Sequence, residues 1–275
     1  MDKKTISHDG TSLAYQRTGQ GPAVILVSGA MSTGATVAPL AGPLSGRFSV
    51  VSYDRRGRGE SGDTQPYTVA REVEDLAALI DAVGGEASLY GISSGGALVL
   101  EAAASGLPVH RVAVYEVPFA VYEGGAKERA EYTERLDEAL GQGRRGDAVE
   151  LFLRLTGLAE EMIQGARNSP MWAGMEAIAP SLAYDNAVMG DGLVPRDRLA
   201  GIEVPVLSLA GSASPAWMRE AARAVAETAP QGTYRILEGQ THMVDPNVLA
   251  PALAEFFWMG TLPRRDLMNP KPDGA

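Results

Sequence analysis

The chain has 275 residues, 45% of them hydrophobic and 21% charged, with a formal net charge of −10 at pH 7. That length suits one α/β core carrying an insertion, and the acidic balance argues against a nucleic-acid backbone or an anionic membrane as the main partner. The lack of any cysteine excludes disulfides, thiolate metal sites and a cysteine nucleophile.

Short apolar runs alternate with helical patterns along most of the chain, which predicts a mostly parallel sheet covered by helices on both faces. Ile6–Ser7 and Leu13–Arg17 read as an antiparallel pair joined by the turn His8-Asp9-Gly10. Strands are expected at Ala23–Ser28, Phe48–Tyr53, Ala87–Tyr90 and Arg111–Glu116. Between them, Ala70–Val83 has helical spacing at Val73, Leu76, Ala77 and Ile80, and Gly95–Ser105 is a helix of small residues. From Pro118 to about Ala200 the strand signals stop. Helical stretches at Lys127–Leu140 and Asp147–Leu158, with shorter ones to about Ser181, predict a helical cap. The alternation then resumes with strand Val204–Ala210, helix Ala216–Ala229, strand Thr233–Leu237 and helix Asn247–Met259. The expected division is a core of residues 1–117 and 201–262, a cap of 118–200 and a tail of 263–275. The start Met1-Asp2-Lys3-Lys4 has no apolar signal core, and no run of about 18 or more apolar residues exists, so a cytoplasmic protein without a membrane span is expected.

Gly91-Ile92-Ser93-Ser94-Gly95 fits Gly-x-Ser-x-Gly and lies between a predicted strand and a helix. Such a turn lifts a serine hydroxyl above the sheet and aims the next helix N-terminus at a developing oxyanion. Ser93 is therefore the candidate nucleophile, against a plain Gly/Ser turn as the alternative. Of the three histidines, His8 lies in the N-terminal turn and His110 precedes its strand, at the wrong edge. Catalysis in open α/β sheets sits at the carboxyl ends of the strands. His242 follows Thr233–Leu237 at that edge and is the candidate general base.

The stretch Leu209-Ala210-Gly211-Ser212-Ala213-Ser214-Pro215 contains no carboxylate. Glu116 closes an apolar strand, where burial demands a partner, and an imidazolium would serve. Glu116 is the candidate acid; Asp185 and Asp191 late in the insertion are rivals, while Asp245, followed by Pro246, better suits a helix cap. Ser28-Gly29-Ala30-Met31 follows the strand that, in elbow architectures, supplies one oxyanion donor. Ala30 and Ser94 are the expected N–H donors, with Met31 as the fallback for the first.

Gly57-Arg58-Gly59-Glu60-Ser61-Gly62 matches the dinucleotide pattern Gly-x-Gly-x-x-Gly. It does not open a helix, because Thr64-Gln65-Pro66-Tyr67 intervenes, so it reads as a structured loop beside the site. No cofactor is expected, and the isolated histidines offer no metal cluster. In the insertion, Met162, Met171, Trp172, Met175, Tyr184 and Met189 are apolar and adaptable. Met31, Trp172, Met175 and Tyr184 are candidates to line a pocket for a hydrophobic small molecule, or else belong to the cap's own core.

Leu26-Val27-Ser28-Gly29, Tyr53-Asp54-Arg55-Arg56-Gly57-Arg58-Gly59-Glu60-Ser61, Tyr90-Gly91-Ile92-Ser93-Ser94-Gly95-Gly96 and Gly239-Gln240-Thr241-His242 resemble the α/β-hydrolase superfamily over almost the whole chain. Ser93-Ser94-Gly95, Glu116-Val117-Pro118 and Gly211-Ser212-Ala213-Ser214-Pro215 are similar to the zearalenone-lactonase-like branch. The glutamate position also resembles haloalkane dehalogenases, although those carry an aspartate nucleophile where this chain has Ser93. The resemblance implies an α/β-hydrolase fold with an eight-stranded sheet and a helical cap. It also implies ester or lactone hydrolysis and a glutamate acid. Hydrolase-fold enzymes with other chemistry, such as C–C bond cleavage or polyketide tailoring, and slow ligand-binding proteins are the alternatives. A homodimer stays open.

Overall fold

The computed structural model describes residues 3–259. Eight strands form one sheet in the order β1-β2-β4-β3-β5-β6-β7-β8. They are β1 (Lys3–Ile6), β2 (Ser12–Thr18), β3 (Ala23–Val27), β4 (Ser49–Tyr53), β5 (Ala87–Ile92), β6 (Val109–Tyr115), β7 (Val206–Gly211) and β8 (Gly232–Leu237). β2 runs antiparallel to both β1 and β4; every other pairing is parallel.

The central strands read as unbroken apolar runs because both of their faces are covered. Alternate residues face opposite sides. Ile25, Val27, Leu89, Val112 and Val114 meet Leu76 and Ile80 of α3 (Val69–Val83), Leu98 and Val99 of α4 (Ser94–Ala104), and Val225 of the helix Ala216–Thr228. Val24, Leu26, Tyr90, Ala113 and Leu207 meet the other face, built from Leu40, Leu44 and the helix Pro246–Trp258 through Leu253 and Phe257. Each fully buried Val, Leu, Ile or Phe side chain among them contributes about 1.5–3 kcal/mol. Between β3 and β4 lie the short helices α1 (Gly34–Val37) and α2 (Ala41–Leu44), which the apolar spacing did not announce.

The insertion is helical: α5 (Gly125–Gly141), α6 (Arg145–Leu155), α7 (Glu160–Arg167), α8 (Trp172–Ile178), α9 (Leu182–Met189) and α10 (Arg196–Ala200). Its base is joined by a single bridge, Ala120 to Leu193. The cap sits on the core through two apolar clusters, one around Tyr132, Leu136 and Leu182 and one around Val149, Trp172 and Ala179. Met31 packs against both. α11 (Ala216–Thr228) and α12 (Pro246–Trp258) complete the core. Asp245 caps α12 by accepting the Asn247 N–H at 2.8 Å, with Pro246 in the first turn.

Several element ends differ from the sequence expectation. α6 stops at Leu155 rather than Leu158, where Gly157 turns left-handed. β5 continues to Ile92, directly below Ser93. His110 lies inside β6 instead of before it, still at the amino end of the strand. The expected tail of residues 263–275 lies outside the described residues. Among those described, no helix is long and apolar enough to cross a membrane.

Strand order reverses between β3 and β5: the chain leaves β3 for β4 on one side, and leaves β5 for β6 on the other. The loops leaving the carboxyl ends of β3 and β5 therefore part company there and leave a crevice.

Candidate active site

Ser93 occupies that crevice, between β5 and α4, with φ 56° and ψ −129°. This conformation is costly for a residue with a Cβ and survives only where its surroundings impose it. Gly91 and Gly95 make room for it. A Cβ on Gly95 would lie 2.5 Å from the carbonyl oxygens of Val27 and Ser28, and one on Gly91 would collide with the Gly95 carbonyl. Ser93 N–H donates to the Tyr115 carbonyl at 3.0 Å, which ties the elbow to the end of β6. Among the described residues, three non-glycine residues have left-handed φ: Met31, Ser93 and Glu116. All three leave the carboxyl edge of the sheet, so the stored strain is concentrated there.

Glu116 follows β6 and is fully buried. Its Oε1 accepts the Gly211 N–H at 2.8 Å, and its Oε2 lies 2.9 Å from His242 Nδ1. An ionised carboxylate only accepts, so Nδ1 carries the proton and Nε2 keeps a lone pair for a neighbour. The His242 side chain is 40% exposed, so part of it stays accessible. Its loop is held by Tyr115, whose hydroxyl donates to the Thr241 carbonyl at 2.6 Å, and by Ala213 N–H, which donates to the Gln240 carbonyl. Tyr115 thus grips the serine turn with its carbonyl and the histidine loop with its hydroxyl. Among the described residues no hydrogen bond joins Ser93 Oγ to the His242 ring; such pairs are often long until substrate is bound.

The other candidates are placed elsewhere. His8 lies 3.9 Å from Glu74 and His110 3.3 Å from Glu86, both in solvated pairs. Asp191 accepts the Leu193 N–H. Asp185 is buried, far from a free acid's situation, and is described below. Where an acid might have followed β7, Gly211 supplies a backbone donor, and its lack of a Cβ lets the Gln240 carbonyl approach.

The β3 loop lies against the elbow: a Cβ on Gly29 would stand 3.0 Å from Ser93 Cβ. Ala30 and Met31 follow it, and among the described residues no protein acceptor is found for their N–H groups or for that of Ser94. The Ser94 hydroxyl is not idle. It donates to Asp185 Oδ1 at 2.7 Å.

Asp185 belongs to a buried network that the linear pattern did not reveal. Arg55 makes a bidentate pair with Glu72, at 2.8 and 2.7 Å, and a third bond of 2.7 Å to Asp185 Oδ1. Arg58 donates to Asp185 Oδ2 at 2.7 Å and to the Gly29 carbonyl at 2.6 Å. Arg56 pairs separately with Asp75, at 2.7 Å twice, and with Asp9 at 3.0 Å. Burial alone would push the Asp185 carboxyl up, but the Arg58 and Arg55 guanidiniums outweigh it and hold it below the usual range. Burial and Arg55 act on Glu72 in the same way. A signal was available. Glu72 and Asp75 fall with Leu76 and Leu79 on the buried face of α3, where a carboxylate needs a cation.

Of the expected pocket residues, Met31, Trp172 and Met175 share one cluster beneath the cap. Tyr184 does not belong to that cluster. Its ring stacks on Tyr67 with centroids 3.9 Å apart, and its hydroxyl donates to Asp63 at 2.7 Å. The stack and this part-buried hydroxyl bond tie it to the core loop. Among the described residues no group of three or more His, Asp or Glu side chains is placed to hold a metal ion. The Gly57–Gly62 loop is ordered from within by Asp54, which accepts the Gly34 and Glu60 N–H groups.

Residues 24–255 match the profile of the alpha/beta hydrolase family. An alpha/beta hydrolase of Sphaerobacter thermophilus is 50% identical, with a TM-score of 0.84 over 93% of this chain and 100% of that one. A 3-oxoadipate enol-lactonase of Acinetobacter baylyi is 27% identical over 222 residues, 76% of this chain and 78% of the relative. A putative carbamate hydrolase, RutD, of Caulobacter is 41% identical over 90 residues only, 30% of this chain and 34% of the relative. With the eight-stranded sheet, the strained serine turn and the profile match spanning most of its length, the chain belongs to the alpha/beta hydrolase family.

Proposed function

We propose that the chain is a serine hydrolase that cleaves a carboxylic ester or lactone of a hydrophobic small molecule through an acyl-enzyme. The observation that carries this reading is the buried Glu116 held 2.9 Å from His242 Nδ1, on the same sheet edge as Ser93. Ser93 Oγ attacks the carbonyl carbon while His242 Nε2 takes its proton, and the carbonyl electron pair becomes an oxyanion. The N–H groups of Ala30 and Ser94 receive that charge; Met31 N–H is the alternative on the loop side. Collapse expels the alcohol, protonated by His242, and water activated by the same ring clears the acyl group. Glu116 holds the ring orientation and balances the imidazolium. Met31, Trp172 and Met175 supply an apolar wall for the substrate. The likeness to an enol-lactonase supports lactone and ester substrates as the class to test first.

The test joins a fluorophosphonate probe to a substrate panel. Wild-type protein gains the mass of one phosphonyl group at Ser93 and hydrolyses p-nitrophenyl esters or lactones, while Ser93→Ala does neither. Folded protein that stays unlabelled would overturn the nucleophile and favour a ligand-binding role. Labelling without turnover of any ester or lactone would move the enzyme to another hydrolase-fold chemistry.

A further inference from the structure

The Asp185 carboxylate is carried by the cap, on α9, yet both of its oxygens are spent on the core. Oδ1 accepts from the Ser94 hydroxyl and Arg55 Nη1, each at 2.7 Å. Oδ2 accepts from Arg58 Nη2 at 2.7 Å. Arg58 in turn donates from Nη1 to the carbonyls of Gly29, at 2.6 Å, and Ser32, at 3.2 Å. These are the two carbonyls that bracket Ala30 and Met31. One cap side chain therefore grips both walls of the proposed oxyanion hole: the first residue of α4 through its hydroxyl, and the β3 loop through a guanidinium.

We propose that Asp185 is a positioning residue that assembles the oxyanion hole, so that the hole is complete only when the cap is seated on the core. The inference rests on the acyl-transfer reading above.

Three features support it. Arg55 has a second carboxylate in Glu72, but among the described residues Asp185 is the carboxylate that pairs with Arg58. Neutralising Asp185 leaves a fully buried cation pulling on the Gly29 carbonyl without a carboxylate bonded to it. The loop it holds is already in a conformation that does not persist unaided, with Met31 at φ 53°. And the partners come from distant parts of the chain, 91 residues apart for Ser94 and 127 for Arg58, so only the docked cap brings them together.

The experiment compares wild type with Asp185→Asn, Ser94→Ala and the double variant. Asp75→Asn serves as the control, breaking the neighbouring buried pair with Arg56, which does not touch the hole. The readouts are kcat and KM on an ester, and the inhibition constant of a trifluoromethyl ketone matched to it. Ser93 Oγ adds to that ketone, its proton passes to His242, and the carbonyl pair becomes an oxyanion, so affinity reports the hole directly. Loss of a whole donor lowers kcat about 100- to 1,000-fold. Misalignment of donors that remain present is expected to lower kcat and ketone affinity together, by roughly 10- to 100-fold, with KM within about threefold. Ser94→Ala moves both in the same direction, and the double variant is no worse than Asp185→Asn alone. Asp75→Asn lowers the melting temperature and leaves ketone affinity unchanged. Unchanged ketone affinity in Asp185→Asn overturns the proposal. Should that variant not fold, unchanged affinity in Ser94→Ala overturns it equally. Wild-type protein that does not bind the ketone at all would instead refute the acyl-transfer reading.

Discussion

Glu116 shows how a single side chain is made useful by what surrounds it. Its left-handed backbone and full burial are both unfavourable taken alone. They are tolerated because both oxygens are used, one by Gly211 N–H and the other by His242. Replacing it by glutamine keeps the volume and the acceptor for Gly211. The amide, however, can turn its NH2 toward Nδ1 and stabilise the tautomer that places the proton on Nε2, where it blocks attack. Glu116→Gln should therefore lose roughly 100- to 10,000-fold in kcat on an activated ester. Its circular dichroism spectrum should match wild type. Turnover within a few-fold of wild type would remove Glu116 from the mechanism. Gly95 is a different case, since the obstacle there is steric. Gly95→Ala drives a Cβ into the carbonyls that end β3 and should give little soluble, folded protein on expression.

At the scale of elements, the cap is fastened to the core by α9 more than by its outer helices. Tyr184 and Asp185 are successive residues of that helix. Tyr184 reaches the Asp63–Tyr67 loop, and Asp185 reaches the arginine loop and α4. Removing the Tyr184 hydroxyl leaves the stack on Tyr67 but strands Asp63 without that donor. Tyr184→Phe is expected to lower unfolding free energy by about 1 kcal/mol in urea titrations. The same hydroxyl is pushed up to about 12, by burial first and then by its bond to Asp63. A raised folded-state value means stability that is whole below the ordinary tyrosine value and fades as pH rises through about 12. The stability gap between the phenylalanine variant and wild type should accordingly narrow at strongly alkaline pH. A gap that stays constant would show that the hydroxyl is not the source.

Over the whole molecule, the arginine network sets the response to acid. The carboxyls of Asp185 and Glu72 are held below their ordinary values of 3.8 and 4.5, against the pull of burial, by Arg58 and Arg55 for the first and Arg55 for the second. The sign follows directly. Depressed carboxyls contribute stability that is full above those ordinary values and is lost as pH falls through the folded ones. Asp75 is pushed up by burial and acts in the opposite sense, so a variant comparison is needed to isolate one group. Asp185→Asn should be less stable than wild type near neutral pH, by about 3–5 kcal/mol for a broken buried pair. Urea unfolding between about pH 6 and pH 3 should show a shallower loss of stability in the variant than in wild type. Parallel curves would mean that Asp185 does not titrate with folding.

The amino-acid sequence by itself determined what repeats along the chain or sits in a local frame. Short apolar runs located the strands and period-3.6 spacing the long helices, and the glycines flanking Ser93 are demanded by a turn five residues long. His242 stood out because strand direction left one histidine at the carboxyl edge. Glu116 was readable as a carboxylate at a strand end in need of a partner. The tertiary structure alone decided which partners met. The contacts of Glu116 with His242 and of Asp185 with Arg55 span 126 and 130 residues, and nothing local encodes them. Tyr184 could not be sorted from Met31, Trp172 and Met175 for the same reason: an apolar ring on a short helix suits a pocket or a packed seam equally until its neighbours are known. Periodicity reports which face of an element is buried. Which charged group waits there depends on how the cap and core dock, because a buried ion pair is stable only once both partners have left water together.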